Sequence, residues 1–119
     1  MQDYRKLVVW QKSHKLVLDM YLATKSFPKE ELYGITSQLR RASVSISANI
    51  VEGCGRKTKP DFARFLTMSL GSTNEVEYFL LLSKDLILLN ENEYVSLNNQ
   101  LVEVRKMLIS LEKTITKNS

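Results

Sequence analysis

Leu97, Leu101, Val104, Leu108, Leu111 and Ile115 recur at steps of 4, 3, 4, 3 and 4. That is a heptad seam, and a helix carrying it must lay one apolar stripe against another helix. The same rhythm appears upstream: Ile35, Leu39, Ala42, Ile46 and Ile50 form one row, with Val44, Ala48 and Val51 on a neighbouring stripe. Between these segments, Phe62, Phe65, Ser69, Ser72, Val76, Phe79, Ser83 and Leu86 alternate steps of 3 and 4 beside a second row, Leu66, Leu70 and Leu80. Two apolar rows place that helix either centrally in a bundle or against another subunit. Only four glycines and two prolines punctuate 119 residues, too few for the turns of an all-β domain. The length suits a single domain, residues 1–119, that buries its own core.

Breakers divide the chain into four helices. The first is expected from about Leu7 to Thr24, closed by Ser26, Phe27 and Pro28. A second runs from Glu31 or Gly34 to Glu52 and ends at Gly53-Cys54-Gly55, where glycine can take the left-handed conformation that closes a helix. The third begins after Thr58, a suitable N-cap with Pro60 and Asp61 in the first turn, and continues to about Leu89. The last spans Tyr94 to about Thr116, with Asn90 or Asn92 as its cap. Short connections predict an all-α, antiparallel, up-down-up-down four-helix bundle.

If the second and third helices form a hairpin about Arg56 and Lys57, facing residue numbers sum to roughly 113, which sets Ala42 opposite Gly71 and Ser45 opposite Met68. Small residues gather there, so Ala42, Gly71 and Ser72 are expected at a close helix approach. Gly71 in mid-helix costs about 1 kcal/mol against alanine, which such packing would justify. Arg41 is expected to pair with Glu75 or Glu77 on the facing helix. Ser45, Asn49 and Glu52 extend this polar network, with Asn49 read as a buried asparagine that fixes register.

Charge points to one end of such a bundle. Residues 1–12, 46–67 and 108–119 share the end beside the second turn and hold nine bases against four acids, an excess of +5. The whole chain carries +4. Arg5, Lys6, Arg56, Lys57, Lys59 and Arg64, together with Arg40 further along, are candidate contacts to a nucleic-acid backbone. A merely solvated basic surface is the competing reading. Enzyme chemistry finds little support. With one histidine, His14, and one cysteine, Cys54, no His or Cys metal cluster can form within one chain, and Gly53-Cys54-Gly55 lacks the spacing of a phosphate loop. His14 reads as a helix-surface residue. No catalytic residue, metal or other cofactor is expected. The lone cysteine and the absence of a signal sequence or a long apolar run suggest a cytoplasmic protein.

Five segments occur in an order that resembles a known family: Leu7-Val-Val-Trp-Gln-Lys12, Phe27-Pro-Lys-Glu-Glu31, Tyr33-Gly-Ile-Thr-Ser-Gln-Leu-Arg-Arg-Ala42, Ser45-Ile-Ser-Ala-Asn-Ile-Val-Glu-Gly53 and Gly71-Ser-Thr-Asn-Glu-Val-Glu77. They resemble the bacterial four-helix-bundle proteins encoded in 23S rRNA intervening sequences, also called the S23 ribosomal protein family. The chain is also similar to the accessory variability determinant of diversity-generating retroelements. The resemblance implies a bundle that assembles as a homo-pentameric ring, whose basic surface in the retroelement relatives binds nucleic acid and a reverse transcriptase. It implies no catalytic residue. The motif positions it carries over are Arg41, Ser45, Asn49, Glu52, Gly53, Gly71, Ser72, Glu75 and Glu77, mostly packing and polar-network positions. The resulting expectation is a non-enzymatic, oligomeric RNA- or DNA-binding protein of low sequence specificity. Its alternative is a scaffold that docks a protein partner such as a reverse transcriptase.

Overall fold

The computed structural model describes residues 2–117. Its principal elements are four helices, α1 (Val8–Thr24), α2 (Ser37–Cys54), α3 (Lys59–Asp85) and α4 (Glu91–Lys117), and the described residues include no strand. At 1.5 Å per residue the 27-residue α3 and α4 are about 40 Å long, which accounts for an envelope of 46 × 23 × 20 Å. Each helix packs on its chain neighbours and α1 closes the ring against α4. This is an antiparallel four-helix bundle. Leu16, Met20, Leu39, Ile46, Ile50, Leu66, Val76, Leu80, Leu101, Val104 and Leu108 fill its axis with essentially no exposure.

Most of the two rows of α3 is covered within the chain, Leu86 at its end being exposed. Phe62, Phe65, Leu66, Val76 and Leu80 are buried, because α2 covers one side of the helix and α4 another. Serines complete the seams. Ser13 Oγ and Ser47 Oγ lie 2.8 Å apart between α1 and α2, and Ser69 Oγ donates to the Ile46 carbonyl at 2.8 Å. Short side chains that satisfy one another let the backbones approach without leaving buried polar atoms unpaired.

Helix ends follow local chemistry, with four departures from the sequence expectation. Thr58 caps α3 as expected, its Oγ1 accepting from the Asp61 N–H at 3.2 Å. By contrast α4 begins three residues early, because Asn90 and Glu93 form a capping box: Asn90 Oδ1 accepts from the Glu93 N–H at 2.8 Å, and Glu93 Oε1 accepts from the Asn90 N–H at 3.1 Å. The start of α2 is later than expected, since Gly34 at φ −109°, ψ −117° breaks a short π-type turn, Leu32–Thr36. At its other end the helix closes on Gly55 at φ −85°, so no glycine takes the expected left-handed conformation.

The left-handed residue is instead Ile87, φ 60°, beyond the early end of α3 at Asp85. The Leu88 N–H donates to the Ser83 carbonyl at 2.8 Å and the Ile87 N–H to that of Lys84 at 2.9 Å, the two bonds of a Schellman closure. A β-branched residue pays about 1–2 kcal/mol to sit there, and 87% of Ile87 is exposed, so little packing offsets it. Ile87→Gly is therefore expected to stabilise the fold by about 1 kcal/mol and to raise the thermal midpoint by roughly 4 °C. A calorimetric scan that shows no rise would refute this account of the α3 terminus.

Candidate nucleic-acid interface

The basic end is assembled by the N-terminal segment. A 3-10 turn, Tyr4–Lys6, follows Asp3, whose carboxylate accepts from the Arg5 backbone N–H at 3.1 Å. The Gln2 N–H donates to the Cys54 carbonyl at 3.1 Å and ties this segment to the last turn of α2. Arg5 and Lys6 thereby stand at the same end as Arg56, Lys57, Lys59 and Arg64. Leu7, Val8 and Val9 line a groove with Met107, Leu111 and Thr114, so the C-terminal part of α4 reaches this end as well.

The cations are not equally available. Arg56 and Arg64 lie over the Phe65 ring at 4.4 and 4.6 Å from its centroid, held flat by cation–π contact. Arg56 also binds Glu52 at 3.0 Å, and Arg64 binds Asp61 at 2.9 Å. Arg5 pairs with Asp3, whose carboxyl its hydrogen bonds hold below the usual carboxylate range. Lys12 pairs with Glu103, an acid outside the segments counted above, which lowers the local excess from +5 to +4. Lys57 lies in the turn and Lys59 opens α3, and both are exposed. The positive pole exists, and half-neutralised arginines form its shoulders.

Arg40 does not belong to this pole. Fourteen residues before Cys54, the last residue of α2, it lies about 21 Å from that end along the axis. There its Nε donates to Thr24 Oγ1 at 2.8 Å and its guanidinium covers the Tyr21 ring at 4.6 Å. In the polar network Arg41 pairs with Glu75 as expected, while Asn49 and Glu52 bond locally along the chain. Arg41 Nη2 binds Glu75 at 2.8 Å and Gln38 at 2.9 Å. Glu77 turns to the other side of α3 and accepts from Arg105 Nη1 at 3.1 Å. Asn49 is half-buried and donates to the carbonyl and hydroxyl of Ser45 on its own helix, so the link across the helices is Ser45 to Ser72, 2.8 Å. Glu52, in the last turn of α2, pairs with Arg56 in the connection that follows.

The α2–α3 register is also offset from the expected one. The pairs Ile46–Ser69, Arg41–Glu75 and Ser45–Ser72 sum to 115, 116 and 117, not 113. Every helical side chain leans toward its own N-terminus, so in an antiparallel pair the contacting residues both lie about one position C-terminal to level. Ala42 and Ser72 remain buried at this approach, but Gly71 does not: a Cβ placed there would meet nothing within 4 Å. The close approach is at Gly53, whose added Cβ would lie 2.8 Å from Phe62 Cδ1 and 3.2 Å from Phe65 Cβ.

Among the described residues nothing at this end assembles a nucleophile and a base. Cys54 is buried, and desolvation followed by the Asp3 charge pushes its thiol upward, away from the reactive thiolate. His14 is exposed and stacks on Trp10, ring centroids 4.9 Å apart. Among the described residues no group of three His, Cys, Asp or Glu side chains could hold a metal ion, and no helix is long and apolar enough to cross a membrane.

Fold and surface together define an antiparallel four-helix-bundle protein with a basic pole at its second turn. Residues 5–110 match the family model for the 23S rRNA-intervening sequence protein. The chain belongs to that family. A solved structure from Bacteroides thetaiotaomicron VPI-5482, described as a protein with unknown function from the S23 ribosomal protein family, superposes with a TM-score of 0.80 at 30% identity, covering 89% of this chain and 99% of that one. No curated protein matches.

Proposed function

We propose that this protein is a non-enzymatic, oligomeric binder of nucleic-acid backbone, and that the pole formed by Arg5, Lys6, Arg56, Lys57, Lys59 and Arg64 makes the contact. The observation that carries the reading is the docking of the N-terminal turn onto the end of α2, which adds two cations to those of the second turn. Affinity is expected to come from phosphate contacts of these cations, with little sequence preference. The test is a fluorescence-anisotropy titration of labelled RNA with the intact protein across a salt series. Binding that weakens linearly on a log–log salt plot supports the reading; absence of binding at low salt overturns it.

Self-association belongs to the same proposal. Met68, Tyr78 and Leu81 leave apolar surface exposed along α3, and Val95 and Ile109 do so along α4. A homo-pentameric ring, as the family resemblance implies, would cover such surface. Light scattering is expected to give a multiple of 13.7 kDa, five-fold for the ring; a 13.7 kDa species at micromolar concentration would exclude it. A second reading, docking of a protein partner, is favoured by Leu86 and Ile87, which stand exposed beyond α3 at the end opposite the basic pole. The anisotropy titration separates the two, because a scaffold with a merely solvated pole gives no salt-dependent RNA binding.

A further inference from the structure

At the end of the bundle opposite the basic pole, a cavity of about 410 Å³ opens between the α1–α2 connection and α2. It is lined by Tyr21, Leu32, Tyr33, Thr36, Arg40 and Arg41, with no carboxylate in its wall. Its size falls within the range of small-ligand sites. Two guanidiniums enter it with donors to spare. Arg40 uses Nε on Thr24 and is held flat over Tyr21, and among the described residues neither of its terminal nitrogens has a partner. Arg41 is anchored by Gln38 and Glu75 through Nε and Nη2, which leaves Nη1 unused.

Tyr33 supplies the other half of the chemistry. It is 93% exposed on the turn broken by Gly34, and no described residue stacks on its ring. Leu32 and Tyr21 beside it are also exposed, so the ring stands at the edge of a small apolar surface next to the two guanidiniums. Thr36 is 4% exposed and its Oγ1 has no hydrogen-bond partner among the described residues, although buried hydroxyls are normally satisfied.

We propose that this cavity binds a nucleotide unit, its base stacked on Tyr33 and its phosphate held by Arg40 and Arg41. Planar guanidiniums suit phosphate oxygens, and an aromatic face accepts any base. The ligand requires both a flat ring and an anion, which separates it from a bare phosphate and from an apolar segment of protein. Free mononucleotide and the exposed base of a single strand share this chemistry. The site is remote from the basic pole and does not depend on the function proposed for it.

The experiment is an NMR titration with AMP, read on the backbone amides of residues 21, 33, 36, 40 and 41. It is run on the protein and on a variant with Arg56, Lys57, Lys59 and Arg64 changed to glutamine, so that failure at the pole and failure at the cavity are read separately. AMP is expected to shift these amides in both proteins, with adenosine and inorganic phosphate each at least about 10-fold weaker. Tyr33→Ala, at a position too exposed to matter for folding, is expected to weaken AMP roughly 5- to 100-fold, the range of one base stack, and Arg40→Gln to weaken it comparably. A short RNA oligomer that binds the pole-neutralised variant more tightly than AMP at these residues identifies a single strand as the source; the reverse order identifies free nucleotide. Unshifted amides at millimolar AMP, phosphate binding as well as AMP, or full affinity in Tyr33→Ala overturns the proposal.

Discussion

Gly53→Val is expected to destabilise the bundle by about 3 kcal/mol, while Gly71→Ala is expected to stabilise it by up to about 1 kcal/mol. The opposite signs follow from where each glycine faces. At Gly53 even a Cβ would sit 2.8 Å from the Phe62 ring and 3.2 Å from Phe65 Cβ, and both phenylalanines are buried, so neither can swing aside. Valine adds two further carbons to a space that does not hold the first. At Gly71 the Cβ enters open space, and the substitution keeps only the gain in helix propensity. Urea denaturation of the two variants measures both. If Gly53→Val left the midpoint unchanged, the closest approach of α2 and α3 would lie elsewhere.

The second large effect concerns the basic pole. Changing Arg56, Lys57, Lys59 and Arg64 together to glutamine is expected to weaken RNA binding roughly 100-fold at low salt and to flatten the log–log salt slope by about 1.4 to 2.8 for single strands. The upper figure assumes that all four cations meet phosphate. The lower assumes that only two of the four do so, with Arg56 and Arg64 remaining on Glu52 and Asp61. The paired arginines therefore make the slope informative: a phosphate that displaces the acids gives the upper value. Lys106→Gln, on an exposed site of α4 outside the pole, should leave the slope unchanged. An unchanged slope in the four-site variant would remove the pole from the binding reaction.

Several features that sequence reasoning missed were legible in retrospect. Gly53 continues the α2 row Leu39, Ala42, Ile46, Ile50 in phase, which marks it as facing α3, whereas Gly71 falls on neither apolar row of its helix. Reading Gly53 only as a helix end hid that phase. Ser13 sits in the α1 seam between Val9 and Leu16, a position that signals a small, paired polar residue. Arg105 gave no such signal. Its partners Glu77 and Asn74 are 28 and 31 residues away, and only the packed α3–α4 pair brings them together.

What the sequence determines by itself is periodic or local. Four amphipathic helices and the Thr58 cap follow from spacing and short-range chemistry along the chain. The exact register between α2 and α3, the identity of the close-packed glycine and the separation of Arg40 from Arg56 were decided by tertiary structure. Side-chain lean shifts antiparallel contacts beyond what turn position alone gives, and ion pairs form according to which helix faces meet. The composition shows a net charge of +4, but only packing decides which of those cations remain available to a partner.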